Sequence, residues 1–271
     1  MKTQVMGILN ATPDSFSDGG LYQELALALQ RIEQMLKEGA DIIDIGGEST
    51  RPGSEAVSET EELKRVLPIV IEAKKKFPNV KISVDTWKSG VAEECLKAGA
   101  DMINSLGGFT FDKKMVDVVA KYKCQVVLYH VKGEPKTMQK DVSYDDVILE
   151  IKQFFKEQIT FGIKQGTAKE QFILDPGIGF GKNVDHNLEI IRRFDEFKEF
   201  SLPLLVGVSR KSHLGMILQE DLDLAEIPGP TERVEAGLAE VGVAVSKGAS
   251  IVRTHDVLQT KKYLAVLDRL Q

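Results

Sequence analysis

Eight short, nearly continuous apolar segments alternate with stretches of helical spacing, and this alternation limits what the chain can fold into more than any other feature. The segments fall at residues 5–9, 41–47, 81–86, 101–104, 125–130, 171–175, 202–209 and 251–255. Apolar residues at consecutive rather than alternate positions mark strands covered on both faces. Helical periodicity fills intervals at 21–38, 88–98, 113–122, 144–164, within 184–197 and at 257–270. A further helix should begin after Ser58, which has Glu61 three residues on, the spacing of a capping box. The pattern predicts an α/β fold, a single (β/α)8 TIM barrel spanning 1–271 as one domain. A doubly wound open sheet is the main competitor. Its phosphate-binding turn would place G-x-G-x-x-G directly after the first strand, where this chain reads N-A-T-P-D-S.

Composition narrows the partners. With 42% hydrophobic and 28% charged residues and no low-complexity tract, the chain is neither disordered nor fibrous. A net charge of -6, with lysines scattered among carboxylates, argues against a nucleic-acid surface. Cys95 and Cys124 sit in apolar surroundings without metal-ligand spacing, which predicts two reduced core thiols. The chain opens MKTQ and runs into a strand, and no apolar run is long enough to span a bilayer. A cytoplasmic protein acting on small molecules, away from membranes, is expected.

In a barrel of this kind chemistry sits where strands end and loops begin. Here those positions hold Asn10, Glu48 with Ser49 and Thr50, Asp85, Asn104, His130, Asp175, Ser209 with Lys211, and Arg253 with His255. Buried acids and amides must be paired, so a ligand is the best explanation for so many. Asp85 and Asp175 could each accept two N–H bonds from a flat amidine-like edge, which suggests a nitrogen heterocycle. Each also has a plainer reading: Asp85 as the cap of the helix near Lys88, Asp175 as a turn acid before Pro176. Asn104 could likewise serve as a cap, and Lys211 could be an ordinary exposed lysine. Arg253 and His255 alternate along the last strand and should point the same way, which asks for an anion such as a diphosphate. DPGIGFGK, residues 175–182, lacks the strict phosphate-loop pattern; its glycines should let backbone approach a flat ligand with Phe180 packing nearby. Ser212 should open a short helix whose N-terminus could take a carboxylate or simply be capped. Phe16, an aromatic inside the polar first loop, should close either over a ligand or onto its own barrel. H-E-x-x-H, a Cys cluster and G-x-S-x-G are all missing, so zinc hydrolysis and serine-nucleophile chemistry are set aside. Oxygen donors such as Asn10 beside a diphosphate suit magnesium.

The motifs NATPDSFSDGG, DIGGESTRPGS, SVDTWKSGVAEECLKAGADMIN, GEPKTMQ, ILDPGIGFGK, GVSRKS and IVRTHDV occur in this order over essentially the whole chain. With them the chain resembles the dihydropteroate synthases. The resemblance implies an enzyme that joins 6-hydroxymethyl-7,8-dihydropterin diphosphate to 4-aminobenzoate, uses magnesium, and is usually a homodimer. It implies that Asp85, Asn104, Asp175 and Lys211 hold the pterin, and that Asn10, Arg253 and His255 hold the diphosphate and its metal. Thr50, Arg51 and Pro52, with Ser212, would hold 4-aminobenzoate, and Phe16 and Asp18 would close over it. The chemistry would rest on Asp85, Asp175, Lys211, Arg253, His255 and Asp18. Two places depart from the family pattern: Ser105 follows Asn104 where aspartate is common, and Tyr129 and Val131 flank His130 where methionines are common. Rival readings are a methyltetrahydrofolate-dependent methyltransferase and a non-catalytic pterin-binding protein. The STRPG and SRKS segments and the Arg253/His255 pair speak against the first, and Asp18 in an intact first loop against the second.

Overall fold

The computed structural model describes residues 2–12, 21–49, 57–133, 138 and 142–270. Its strands are β1 (Gln4–Asn10), β2 (Ile42–Gly46), β3 (Lys81–Asp85), β4 (Met102–Leu106), β5 (Gln125–Tyr129), β6 (Phe172–Asp175), β7 (Leu205–Val206) and β8 (Ile251–Thr254). They pair in parallel in the order β6-β5-β4-β3-β2-β1-β8-β7. An isolated parallel bridge between Leu174 and Leu204 joins the two remaining edges and closes the sheet into a barrel. Around it run α1 (Leu21–Glu38), α2 (Glu59–Lys76), α3 (Ser89–Lys97), α4 (Met115–Tyr122), α5 (Val147–Lys164), α6 (Val184–Arg192), α7 (Ser212–Asp221), α8 (Val234–Ser246) and α9 (Val257–Leu270). This is the (β/α)8 barrel that the alternation predicts.

Three elements differ from their sequence expectation. Strand seven forms ladder pairs only at Leu205–Val206. Pro203 ahead of it has no N–H to give, and its carbonyl instead accepts from Leu174 at 3.0 Å. The helix expected within 184–197 stops at Arg192, and Phe194–Phe200 tightens into 3-10 turns. α8 has no counterpart in the sequence reading, because its glycines break the apolar stripe. Gly242 is there because a Cβ would lie 2.0 Å from Tyr263 Oη on α9. At the start of α2, Ser58 Oγ accepts from Glu61 N–H at 3.2 Å as predicted, while the Glu61 carboxylate turns to Arg65.

Alternation sends one set of strand side chains outward. Val5, Ile43, Val84, Val126, Leu174 and Val252 pack there with Ile32, Val70 and Phe155 of the helices. The other set fills the barrel. Met6, Ile42, Met102, Val127, Ile173, Leu205 and Ile251, from every strand but β3, form a separate apolar cluster. This cluster is the floor. One inward step further along, the residues become Asp44, Ser83, Asn104 and Arg253; at the mouth they are Asn10, Gly46, Asp85 and Asp175. The buried polar side chains of the barrel interior therefore lie on the C-terminal side of this apolar cluster. Cys95 and Cys124 are buried free thiols, pushed by burial up to about 12 and about 11. No helix among the described residues is long and apolar enough to cross a membrane.

Candidate active site

Arg253 dominates the mouth. Its Nε donates to Asp44 Oδ2 at 2.6 Å and its Nη2 to Asp85 Oδ2, also at 2.6 Å. β1 lies between β8 and β2, so the bond from Arg253 to Asp44 has to pass through the barrel interior. The arginine points inward as expected, but two carboxylates already balance it. Burial raises the Asp85 carboxyl above the ordinary range and Arg253 pulls it back, with Asp44 and Glu62 opposing and Lys211 helping. Asp85 is not a helix cap. Lys88 holds that position at α3 without a side-chain bond, and Asp112 Oδ2 takes the Ser89 N–H instead. Asn104 is no cap either: its Nδ2 donates to Asp44 Oδ2 at 3.0 Å, deep in the barrel.

Asp175 faces the same mouth from β6. Its Oδ1 accepts from Gly177 N–H at 2.8 Å, so the turn role expected of it is present. Burial pushes this carboxyl up to about 6, against the Gly177 bond and the charges of Lys211, Arg253 and Lys182. Two of the glycines that follow are required by the chain itself. A Cβ at Gly177, where φ is +76°, would lie 1.8 Å from the His130 carbonyl oxygen. At Gly179 it would press on the Lys211 side chain at 3.1 Å. Lys211 therefore crosses Gly179 and sets its ammonium 3.9 Å from the centre of the Phe180 ring, which meets Tyr129 edge-on. Lys211 is thus not an ordinary exposed lysine. Beneath the loop, Lys182 Nζ lies 2.9 Å from His130 Nδ1 and donates to the Phe180 carbonyl at 3.0 Å. Burial drives both Lys182 and His130 well below their ordinary values.

His255 has partners different from those of Arg253. Its ring Nδ1 lies 3.1 Å from Ser209 Oγ, which also accepts the His255 N–H at 3.1 Å. Arg31 Nη2 holds the His255 carbonyl at 3.0 Å, and Arg210 grips the neighbouring Asp256 with two bonds. Arg253 thus bonds across the barrel, and His255, two residues on, bonds to Ser209 beyond β7. Ser212 is the exposed first residue of α7, whose N-terminus has no side-chain cap. Asn10 ends β1 half-buried, paired in register with Gly46, which is followed across the rim by Asp85. Phe16, Asp18, Thr50, Arg51 and Pro52 lie outside the described residues.

Two groups escaped the sequence reading. Asp44 lies inside a strand and not at its end, and an acid at an inward position of DIIDIGG is itself the signal. Lys88 donates to both Glu48 and Glu62 at 2.5 Å, and Glu48 Oε1 also takes the Val57 N–H, so this buried triad ties the ends of the second loop together. Glu48 therefore acts as an anchor and is not open to a ligand.

Fold and mouth together define a (β/α)8 barrel enzyme for a small polar ligand, with acids, an amide and cations gathered on an apolar floor. A family model described as pterin binding enzyme matches residues 6–255, and the chain belongs to that family. A dihydropteroate synthase of Synechocystis sp. is 46% identical over 99% of this chain and 90% of its own length. Among solved structures, Yersinia pestis dihydropteroate synthase in a sulfonamide drug complex superposes with a TM-score of 0.91 at 43% identity, covering 99% of this chain and 94% of that one. The Xanthomonas albilineans enzyme with 4-aminobenzoic acid gives 0.89 at 37% identity, covering 100% and 93%.

Proposed function

We propose that this chain is a dihydropteroate synthase, which condenses 6-hydroxymethyl-7,8-dihydropterin diphosphate with 4-aminobenzoate to give 7,8-dihydropteroate and diphosphate. The observation that carries the reading is the convergence of Asp85, Asn104, Asp175 and Lys211 on one mouth beside Arg253, in a chain similar to such enzymes over nearly its whole length. The two acids would accept the pterin N–H groups, Asn104 would add an acceptor, and Lys211 would reach a ring carbonyl. The bond from the exocyclic methylene to diphosphate oxygen breaks, its electron pair leaving with diphosphate, and the cation delocalises into the electron-rich ring. Asp175 and Asp85 stabilise that cation, and Arg253 and His255 the departing anion. The aniline nitrogen then attacks the methylene and loses a proton. It is a weak nucleophile, so prior ionisation serves better than direct displacement.

Thr50, Arg51, Pro52 and Ser212 hold 4-aminobenzoate in this reading, and Phe16 and Asp18 close over it. Magnesium fits Asn10: a hard amide oxygen at the rim can supply one ligand while the diphosphate supplies others. Among the described residues no three His, Cys, Asp or Glu side chains form a group that could hold a metal ion, so such an ion would lean on its substrate. When bound, it would neutralise charge on the leaving diphosphate. The enzyme acts in the cytoplasm as a homodimer, to which exposed Met216 on α7 and Val243 on α8 offer apolar surface.

Incubating the protein with both substrates and magnesium should yield dihydropteroate by chromatography, and no product under saturating conditions would overturn the reading. Because Asp175 must be ionised to accept pterin N–H groups, affinity for the pterin should climb as pH rises toward about 6 and level off near pH 7. Below that point the slope should approach about tenfold per pH unit, with matching proton release on binding seen by calorimetry in two buffers. A flat profile from pH 5 to pH 8 would take Asp175 out of pterin binding.

A further inference from the structure

Asp44 is fully buried one inward step below the mouth, where its register partner on β3 is Ser83. A single oxygen, Oδ2, accepts from both Asn104 Nδ2 and Arg253 Nε. Three atoms around it, Asp44 Oδ1, Ser83 Oγ and Asn104 Oδ1, are buried without a hydrogen-bond partner among the described residues. Carboxylate oxygens next to a guanidinium can only accept, so an amide beside them must present its nitrogen. Asn104 cannot flip without setting two acceptors against each other. Its oxygen is left on the opposite edge, away from Asp44, and an orphaned buried acceptor of this kind is costly until something donates to it.

We propose that Asp44 is a specificity-determining positioning residue: it locks the Asn104 amide so that this part of the pocket accepts, and so demands a ring N–H or amino donor from the ligand. The inference rests on the dihydropteroate synthase reading only for the identity of that ligand, a dihydropterin. Asp44 also holds the guanidinium of Arg253, so one buried carboxylate sets the polarity of the amide and the place of the cation together.

Removing the acceptor at position 44 tests this. Asp44→Leu leaves the Asn104 amide free to turn and should weaken 7,8-dihydropterin binding by about tenfold to a hundredfold, while the KM for 4-aminobenzoate at saturating pterin diphosphate stays near wild type. Asp44→Asn is the conservative control: Arg253 Nε draws the new amide oxygen to the place of Oδ2, where it still accepts from Asn104 Nδ2, so pterin binding should stay within about threefold of wild type. The preference for 7,8-dihydropterin over an analogue with an oxo group in place of the amino donor should fall by at least about tenfold in Asp44→Leu, whereas a purely structural role would weaken both ligands alike. Wild-type affinity or an unchanged preference in Asp44→Leu overturns the proposal. Should a variant fold poorly, neutron diffraction on the deuterated ligand-free wild type decides: the Asn104 ND2 group must face Asp44, and an oxygen there refutes the assignment. Absence of product from active-site-competent wild type would instead sink the reaction, leaving the amide orientation to be read by itself.

Discussion

Asp175→Asn should lower turnover by about a hundredfold to a thousandfold while leaving the ligand-free protein at least as stable as wild type at pH 8. The two halves of this expectation have one cause. Burial raises the Asp175 carboxyl from 3.8 to about 6, so the folded state holds its proton more tightly than the unfolded chain. The resulting stability is fully present below pH 3.8 and is lost as pH rises through about 6. At pH 8 the wild type carries an ionised carboxylate that its surroundings disfavour, tolerated because a developing cation needs it. Asparagine keeps an oxygen for the Gly177 N–H and removes the charge. Thermal unfolding at pH 5 and pH 8, beside kcat at pH 8, separates the outcomes. An inactive variant that is also markedly less stable at pH 8 would place Asp175 in the fold instead of the reaction.

The barrel was legible because both-face burial leaves consecutive apolar residues, and eight such runs separated by helical stretches admit few other arrangements. Residues at the strand ends were legible for the same reason: a polar side chain closing an apolar run stands out at Asp85, Asn104 and Asp175. What one strand cannot reveal is its partner across the barrel. Arg253 reads as a free cation on β8, and only closure of the sheet brings Asp44 of β2 and Asp85 of β3 against it. Nor can the local sequence reveal that the glycines at 177 and 179 are crowded by the His130 carbonyl and the Lys211 side chain, each far away in sequence. Helix α8 was missed because Gly237 and Gly242 answer to packing partners on other elements and interrupt the local pattern.

The fork at Arg253 also changes what its removal should do. As a residue that only met diphosphate, it could be replaced at the expense of anion binding alone. Arg253→Met instead leaves Asp44 and Asp85 buried against each other with their shared cation gone, and breaking a buried pair from one side costs about 3–5 kcal/mol. The loss should be largest at pH 8. It should shrink toward pH 5, because burial already raises Asp85 and the missing guanidinium raises it further, so that protonation relieves the repulsion. Adding Asp44→Asn to Arg253→Met should return part of the stability at pH 8 by deleting one of the stranded charges. Urea denaturation of the three proteins at both pH values measures this; an unchanged midpoint in Arg253→Met would mean that the fork contributes nothing. Product inhibition supplies the functional half: in variants still folded, diphosphate should inhibit about tenfold more weakly than in wild type, since a charge-assisted bond to the anion is gone. If inhibition by diphosphate is unchanged while pterin binding falls, Arg253 serves the heterocycle through Asp85, and the anion is held by His255 and its neighbours on the rim.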